Sequence, residues 1–227
     1  MSRWFDAAWR TPSAVLLAAQ LLGVLLYPFM GESPEGRALV GLFGLLVLVL
    51  AIWTIRTTPA LTWVAVLLGL PVAVLTVAEA LEPTSRPLVL WSSTAHAAFY
   101  FYTSYCLLRY MFNDRRVTTD ELFATGATFT VVAWAFAYLY TATQVISPGS
   151  FTAAVQPDAP RTWMELLFLS FTNLSSTGLS DVAPVQPHAR ALVMIEQVAG
   201  LGYIALVVAR LVGLTLWRPT DRMEPRS

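Results

Sequence analysis

Oxygen-bearing side chains and a glycine are concentrated between residues 173 and 181, where the sequence reads NLSSTGLSD. An apolar run, LLFLSF, ends just before this segment, and VAP follows it. Because the segment is predicted to be non-helical, its backbone carbonyls have no partners within their own stretch of chain. At membrane depth such backbone is tolerated only inside protein or along a water-filled path. Carbonyl oxygens that face such a path suit a cation, so we interpret this segment as a candidate cation site.

A short helix is predicted directly before the segment. Thr162 and Glu165 have the spacing of a capping box, which favours a helix that starts at Trp163. We expect this helix to run to about Ser175, and at about 1.5 Å per residue it spans only about half of a hydrocarbon core of roughly 30 Å. Because two longer apolar runs flank it, the pattern predicts a re-entrant loop.

The segment resembles the selectivity filter of the tetrameric potassium channels, whose pattern TxTTVGYGD aligns with residues 173–181. Ser176 keeps the hydroxyl of the family's filter threonine, and Gly178 keeps the first filter glycine. Leu179 stands where tyrosine is usual, and Asp181 keeps the external acid, which concentrates cations or pairs with a pore-helix group. The resemblance implies that the ion is dehydrated by backbone oxygens and by the Ser176 hydroxyl. The residues expected to form this filter are Ser176, Thr177, Gly178, Leu179 and Ser180.

Two residues depart from the family pattern. Thr177 replaces a valine whose packing holds its carbonyl inward, and Ser180 replaces the second filter glycine, for which the family uses a positive φ. A serine in that conformation costs roughly 1 kcal/mol or more. Three interpretations stay open: a potassium-selective channel, a weakly selective or sodium-passing cation channel, and a pore-fold scaffold subunit that conducts nothing.

Composition predicts an all-α polytopic membrane protein. Hydrophobic residues make up 56% of the 227 residues and charged residues only 12%, and the mean hydropathy is +0.61. Six apolar runs are long enough to span a bilayer, and the re-entrant pore helix and filter loop lie between the fifth and the sixth. These runs are 13–30, 38–55, 61–81, 88–111, 122–146 and 191–216.

The chain divides at a polar stretch near residue 113. The part before it resembles a voltage-sensor domain without its arginine ladder, because the fourth run contains a single arginine, Arg109, at its inner end. The whole arrangement resembles small bacterial potassium-channel-like proteins, which implies a homotetramer. The predicted parts are a four-helix region at 1–112, a linker at 113–118, a pore domain at 119–217 and a cytoplasmic tail at 218–227. Within the pore domain we expect an outer helix that starts after Thr118, a pore helix at 163–175, the filter at 176–181 and an inner helix at 190–216. Glu121 is the expected capping partner of Thr118, and Asp120 and Glu121 are placed to complement the dipole of that helix.

The arginines predict the orientation in the membrane. By the positive-inside rule, the side with more arginines is cytoplasmic, so both termini are expected in the cytoplasm of a plasma (inner) membrane protein. The pore loop then opens from the outside. One side carries Arg3, Arg10, Arg56, Arg109, Arg115, Arg116, Arg210, Arg218, Arg222 and Arg226, and the other carries Arg37, Arg86, Arg161 and Arg190.

Three residues of the last helix attract attention. Gly200 and Gly202 lie mid-helix, where they form a gating hinge or pack against the pore helix. Glu196 is an intramembrane acid, which is a functional candidate by default. We favour a hydrogen bond between Glu196 and a serine or threonine of the pore helix, behind the filter. Thr172 and Asp181 complete the predicted support and outer mouth of the filter.

Other chemistry is sparse. The two histidines, His96 and His188, and the single cysteine, Cys106, lack metal-site spacing, so we expect neither an enzyme nor a bound cofactor or metal beyond permeant K⁺ or Na⁺. The expected partners are the lipid bilayer, three identical subunits and monovalent cations, and no nucleic acid. Because one chain supplies one pore loop, a ring of carbonyls needs several copies.

Overall fold

The computed structural model describes residues 11–30, 34–56, 61–113 and 118–216, which form seven helices and one two-stranded ribbon. The four helices of the first half are α1 (Pro12–Met30), α2 (Pro34–Arg56), α3 (Thr62–Leu81) and α4 (Arg86–Met111). The second half contains α5 (Thr119–Ile146), β1 (Phe151–Ala153), α6 (Trp163–Leu174), β2 (Val182–Pro184) and α7 (Pro187–Leu216). The protein is therefore an all-helical membrane protein with several spans, as its composition predicts.

Five of these helices, α1, α2, α3, α5 and α7, are long and apolar enough to cross a membrane. The sequence predicts six, and the exception is α4, which has 26 residues but is interrupted by polar ones. Several of those polar side chains are buried, among them Ser92, Ser93 and Thr103. The Thr103 hydroxyl donates to the Phe99 carbonyl at 2.9 Å, as hydroxyls in helices commonly do. The Thr103 hydroxyl is thus satisfied inside the protein, whereas a hydropathy average counts such a residue against a membrane span.

The predicted helix boundaries are close to the observed ones. The capping box at the start of α5 is confirmed, since Thr118 Oγ1 accepts from the Glu121 amide at 3.2 Å and the Thr118 amide donates to the Glu121 carboxylate at 3.3 Å. The inner helix α7 begins at Pro187 rather than 190, because proline suits the first turn of a helix. The pore helix ends at Leu174, with Ser175 as its cap. Four of the six linker residues (114–117), the tail at 218–227, Arg3 and Arg10 lie outside the described residues.

The two halves share one apolar core. Leu16 of α1, Val47 of α2 and Tyr100 of α4 are buried in the same cluster as Val131 of α5 and Leu167 of α6. The helix α5 packs along α4 and also against α1 and α6, so it links the front region to the pore helix. A second cluster, which includes Phe136, Leu169 and Val193, holds α5, α6 and α7 together around the ribbon.

The ribbon fixes both ends of the predicted loop region. Strand β1 pairs antiparallel with β2, and Phe151 lies opposite Pro184. Phe151 and Val182 are buried in one cluster with Leu166 and Leu169 of α6. The chain that leaves the filter segment is therefore tied to the chain that leaves α5.

Candidate functional site

The pore helix α6 begins as its sequence predicts. Thr162 Oγ1 accepts from the Glu165 amide at 3.3 Å, and the Thr162 amide donates to Glu165 Oε2 at 2.6 Å. This reciprocal capping satisfies two amides that the first turn leaves without helical partners. The start of the helix is fixed by local sequence.

Arg161 organises the loop before α6, a role that the sequence did not indicate. Its side chain is buried, and its guanidinium donates to the carbonyls of Val155, Gln156 and Ala159. The Gln144 side chain makes two hydrogen bonds to the Arg161 backbone. Gln144 Oε1 accepts from the Arg161 amide at 2.7 Å, and Gln144 Nε2 donates to the Arg161 carbonyl at 2.8 Å. A rigid fork of donors that satisfies several carbonyls is a typical use of arginine.

The helix ends in a Schellman motif, and this shapes the start of the candidate filter. The Ser176 amide donates to the Asn173 carbonyl at 3.0 Å, and the Thr177 amide donates to the Thr172 carbonyl at 2.9 Å. Gly178 also donates to the Thr172 carbonyl, at 3.1 Å. Ser176 has φ +60° and Gly178 has φ +66°. The Thr172 carbonyl thus accepts from two successive amides of the turn and fixes its conformation.

Ser180 does not have the positive φ that the family uses at this position. Among the described residues, the non-glycine positions with positive φ are Gln156 and Ser176. Ser180 Oγ instead accepts from the Val182 amide at 3.1 Å, a local turn that serine favours over a left-handed backbone. The left-handed serine of this loop is Ser176, at the end of the helix.

The filter segment is largely uncovered in a single chain. Ser176, Thr177, Gly178 and Asp181 are exposed, and Leu179 is 78% exposed. Thr177 Oγ1 is turned back toward the helix, where it donates to the Thr172 carbonyl at 3.3 Å. A single chain therefore presents this loop at its surface.

Glu196 lies behind the loop and not on its exposed side. Its side chain is fully buried and accepts hydrogen bonds from the hydroxyls of Ser170 in α6 and Tyr140 in α5. The hydrogen bond that we expected from a pore-helix serine or threonine is thus present. In the next position, Gln197 Nε2 donates to Asn173 Oδ1 at 3.4 Å. These contacts join the outer, pore and inner helices at one level.

The two mid-helix glycines have different surroundings. A Cβ added at Gly200 would lie 2.1 Å from the Leu174 carbonyl oxygen, so this glycine allows α7 to approach the end of α6. A Cβ added at Gly202 would meet nothing within 4 Å. The packing interpretation therefore fits Gly200, and the hinge interpretation stays a prediction for Gly202.

One stripe of α7 packs on the rest of the chain and the opposite stripe is bare. Ala189, Val193, Glu196 and Gly200 are buried at helical spacing. The bare stripe is apolar and follows the same period. Its exposed members are Met194, Val198, Leu201, Ala205, Val208 and Val212.

The first turn of α5 anchors two other helices, which its sequence did not reveal. Asp120 accepts from the Ser13 amide and from the Ser13 hydroxyl, both at 2.9 Å. Glu121 forms a buried ion pair with Arg210 of α7 at 3.1 Å. The sequence predicted that these acids complement the helix dipole and that Glu121 caps the helix, but not these contacts with other helices. They join α1, α5 and α7 at the end of the molecule that lies away from the ribbon.

The histidines and the cysteine form no site. His96 Nδ1 lies 2.9 Å from the Ser92 carbonyl oxygen, and His96 Nε2 lies 3.3 Å from Thr76 Oγ1. Both ring nitrogens are thus engaged inside the protein. His188 is exposed, and Cys106 is buried. Within the described ranges, no group of three or more His, Cys, Asp or Glu residues could hold a metal ion.

Comparison with known proteins points to the same half of the chain. Residues 126–215 match the model of a protein family described as "Ion channel". The matched range covers most of α5, the pore helix with its loop, and nearly all of α7. The chain shows no significant match to a curated protein or to a solved structure.

Proposed function

We propose that this protein is an ion channel that passively conducts monovalent cations through a homotetrameric pore. The observation that carries the proposal is the match of residues 126–215 to an ion channel family, over a helix, pore helix, loop and helix in sequence. The exposed loop supports it further, because Ser176, Thr177, Gly178 and Leu179 are uncovered in one chain. Four copies around an axis would surround an ion with the carbonyl and hydroxyl oxygens of this loop.

Conduction in this mechanism needs no bound cofactor and no covalent step. The C-terminal end of α6 carries a partial negative charge, which favours a cation near the loop. Ser176, Thr177, Gly178, Leu179 and Ser180 then replace the hydration shell of the ion with backbone oxygens and the Ser176 hydroxyl. Asp181, exposed at the mouth, raises the local concentration of cations.

Potassium is the ion that we propose, on the strength of Gly178 and the acid at Asp181. The loop geometry also gives a specific reason to test sodium. Ser180 has no positive φ, and its hydroxyl is engaged with Val182, so the outer part of the loop differs from the pattern in which glycine stands at this position. A weakly selective or sodium-passing channel is therefore the second candidate.

We propose a plasma membrane location with both termini in the cytoplasm, and the placement of the arginines supports this orientation. Arg86 donates to the Val145 carbonyl at 2.8 Å, and Arg190 donates to the Pro184 carbonyl at 3.2 Å, so both lie at the ribbon end of the molecule. Arg210 lies at the opposite end, paired with Glu121. With the arginine-rich end inside, the loop opens to the outside.

Flux through liposomes tests the proposal. Purified protein is reconstituted, and the uptake of K⁺ and Na⁺ is compared with that of protein-free liposomes. We expect K⁺ uptake that exceeds Na⁺ uptake, and the double variant Thr177→Val, Ser180→Gly is expected to raise that ratio. Uptake of neither ion by the wild type or by the double variant would favour the third interpretation, a scaffold subunit.

A further inference from the structure

A cavity of about 710 Å³ lies between the front helices and the start of the pore helix. Residues of α1 to α5 line it, and Thr162 and Trp163 border it at the N-terminus of α6. Its volume falls in the range of small-molecule sites, which is roughly 300–1,000 Å³. The candidate conduction site uses none of its side chains other than the helix cap.

The charge of the lining favours a cation. Glu79 is the acid of the cavity, and none of the lining residues, all of which the structure describes, is arginine or lysine. His96 also lines it, but both ring nitrogens already have partners in Ser92 and Thr76. A bound cation would complement the Glu79 carboxylate.

Aromatic rings form one wall of the cavity. The Trp163 ring lies 5.7 Å from Tyr27, 5.3 Å from Trp134 and 5.5 Å from Tyr138, measured between ring centroids. The faces of such rings attract organic cations. A carboxylate beside clustered aromatic rings is the chemistry that binds alkylammonium groups.

Two indole donors in this wall lack acceptors. The Nε1 atoms of Trp134 and Trp163 are buried, and neither has a hydrogen-bond partner among the described residues. Buried donors are normally satisfied. A ligand oxygen close to the cation would satisfy an indole Nε1 once that ring turns toward the cavity.

We propose that this cavity is a binding site for an organic ammonium compound that carries an oxygen near its nitrogen, as in an amino alcohol. The ammonium group lies among the rings and against Glu79, and the oxygen accepts from an indole Nε1. The shared chemistry occurs in soluble amino alcohols and in the choline headgroup of a lipid. Because Trp163 is the first residue of α6, the occupied site touches the pore helix directly.

Binding of radiolabelled choline to the full chain tests the proposal. The protein is placed in nanodiscs of phosphatidylglycerol, and 3,3-dimethylbutan-1-ol serves as the uncharged competitor of the same shape. We expect choline to bind and the uncharged alcohol to compete at least about tenfold less well. Absence of choline binding to the wild type, or equal competition by the alcohol, would overturn the proposal.

Variants locate the bound choline. Glu79→Gln is expected to weaken binding about tenfold or more, whereas Asp181→Asn at the loop mouth leaves it unchanged. Gly44→Phe fills the cavity from α2, because a side chain added there meets open space, and it should abolish binding. Leu42→Phe on the exposed face of the same helix is its control. Loss of binding in Asp181→Asn, with none in Glu79→Gln and Gly44→Phe, would place the choline at the loop and refute the cavity site.

The lipid composition distinguishes the two sources of the ligand. If phosphatidylcholine in the nanodisc displaces radiolabelled choline, the site takes the headgroup. If it does not, the site takes the soluble compound. Both results support the cavity site, since both require choline to bind in phosphatidylglycerol alone.

Discussion

Ser176 and Ser180 are hydroxyl residues of the same loop, but the backbone makes different demands on them. Ser176 closes the pore helix at φ +60°, where glycine is the usual residue. Ser180 keeps an ordinary φ and uses its hydroxyl to accept from Val182. The strained backbone conformation in this loop is thus that of Ser176, the first residue of the candidate filter.

Replacement of Ser176 by glycine should stabilise the protein. Glycine adopts the left-handed conformation without the steric cost that serine incurs, so we expect a gain of about 1 kcal/mol in the free energy of unfolding. Ser180→Gly is the matched control, and it should be neutral or slightly destabilising because it loosens the unfolded chain. Thermal unfolding in detergent measures both. A larger gain from Ser180→Gly than from Ser176→Gly would contradict this assignment.

Gly200 and Gly202 provide a second matched pair. Gly200→Ala would force a methyl group against the Leu174 carbonyl, and we expect a loss of about 1–3 kcal/mol in the free energy of unfolding. Gly202→Ala meets open space in the chain and should be neutral or stabilising, because alanine favours the helix. The two variants can be compared by their unfolding midpoints in detergent. Equal destabilisation by both would argue against close packing at Gly200.

At the scale of elements, helix ends are joined by polar side chains that are distant in sequence. Glu121 both caps α5 and pairs with Arg210 of α7, while its neighbour Asp120 binds the first turn of α1 through Ser13. The Tyr203 hydroxyl adds a bond to the Thr125 carbonyl at 2.5 Å. These contacts therefore fix α7 to α5 at the end of the molecule opposite the loop.

The ion pair predicts a pattern in a double-mutant cycle. Arg210→Gln leaves Glu121 buried without its cation, and we expect a loss of about 3–5 kcal/mol in stability. The double variant Glu121→Gln, Arg210→Gln removes both charges and should be more stable than Arg210→Gln alone. Chemical unfolding of the single and double variants gives the coupling energy. Strict additivity would mean that the pair contributes nothing.

From the positions of the arginines in α4 we predict that conductance depends only weakly on voltage. The arginines of α4, Arg86 and Arg109, lie at its two ends, and Arg86 is fixed to the Val145 carbonyl. Each charge that crosses the field contributes about 2.3 kcal/mol per 100 mV, so a helix without charges in its middle gains little from the field. Currents recorded over a range of voltages should therefore show a shallow conductance curve. A steep curve that Arg109→Gln flattens would contradict this prediction.

Local signals made the elements predictable, and the absence of local signals explains what was missed. Thr162 with Glu165 and Thr118 with Glu121 fixed two helix starts, because the capping partners are three residues apart. A hydrogen bond from a pore-helix serine or threonine to Glu196 was predicted, but not that the donor is Ser170. Helical spacing does not identify a partner on another helix. Three features were not predicted: the Glu121–Arg210 ion pair, the ribbon and the burial of Arg161. Each depends on tertiary contacts, which the periodicity of the sequence does not reveal.

At the scale of the whole molecule, the bare stripe of α7 is an apolar surface that a second subunit could cover. Val198 is 74% exposed and Leu201 is 65% exposed. Lipid can cover such a face, but four copies would place it around the axis and bring four loops together.

The assembly prediction is four subunits. Native mass spectrometry from detergent should show a complex of four times 24.9 kDa. Val198→Arg places a charge on the bare stripe and should reduce the share of tetramer, whereas Leu70→Arg on the exposed face of α3 should not. A wild-type protein that is monomeric at all concentrations would contradict the homotetramer.

The reversal potential across a planar bilayer tests the central claim, cation conduction, most directly. The purified protein is recorded with a tenfold gradient of potassium chloride, for which an ideally cation-selective pore reverses at about 59 mV in magnitude with the sign of the potassium gradient. We predict a reversal close to that value and a reduction of current in Asp181→Asn. A reversal at the chloride potential, or no current from verified tetramers, would contradict the account.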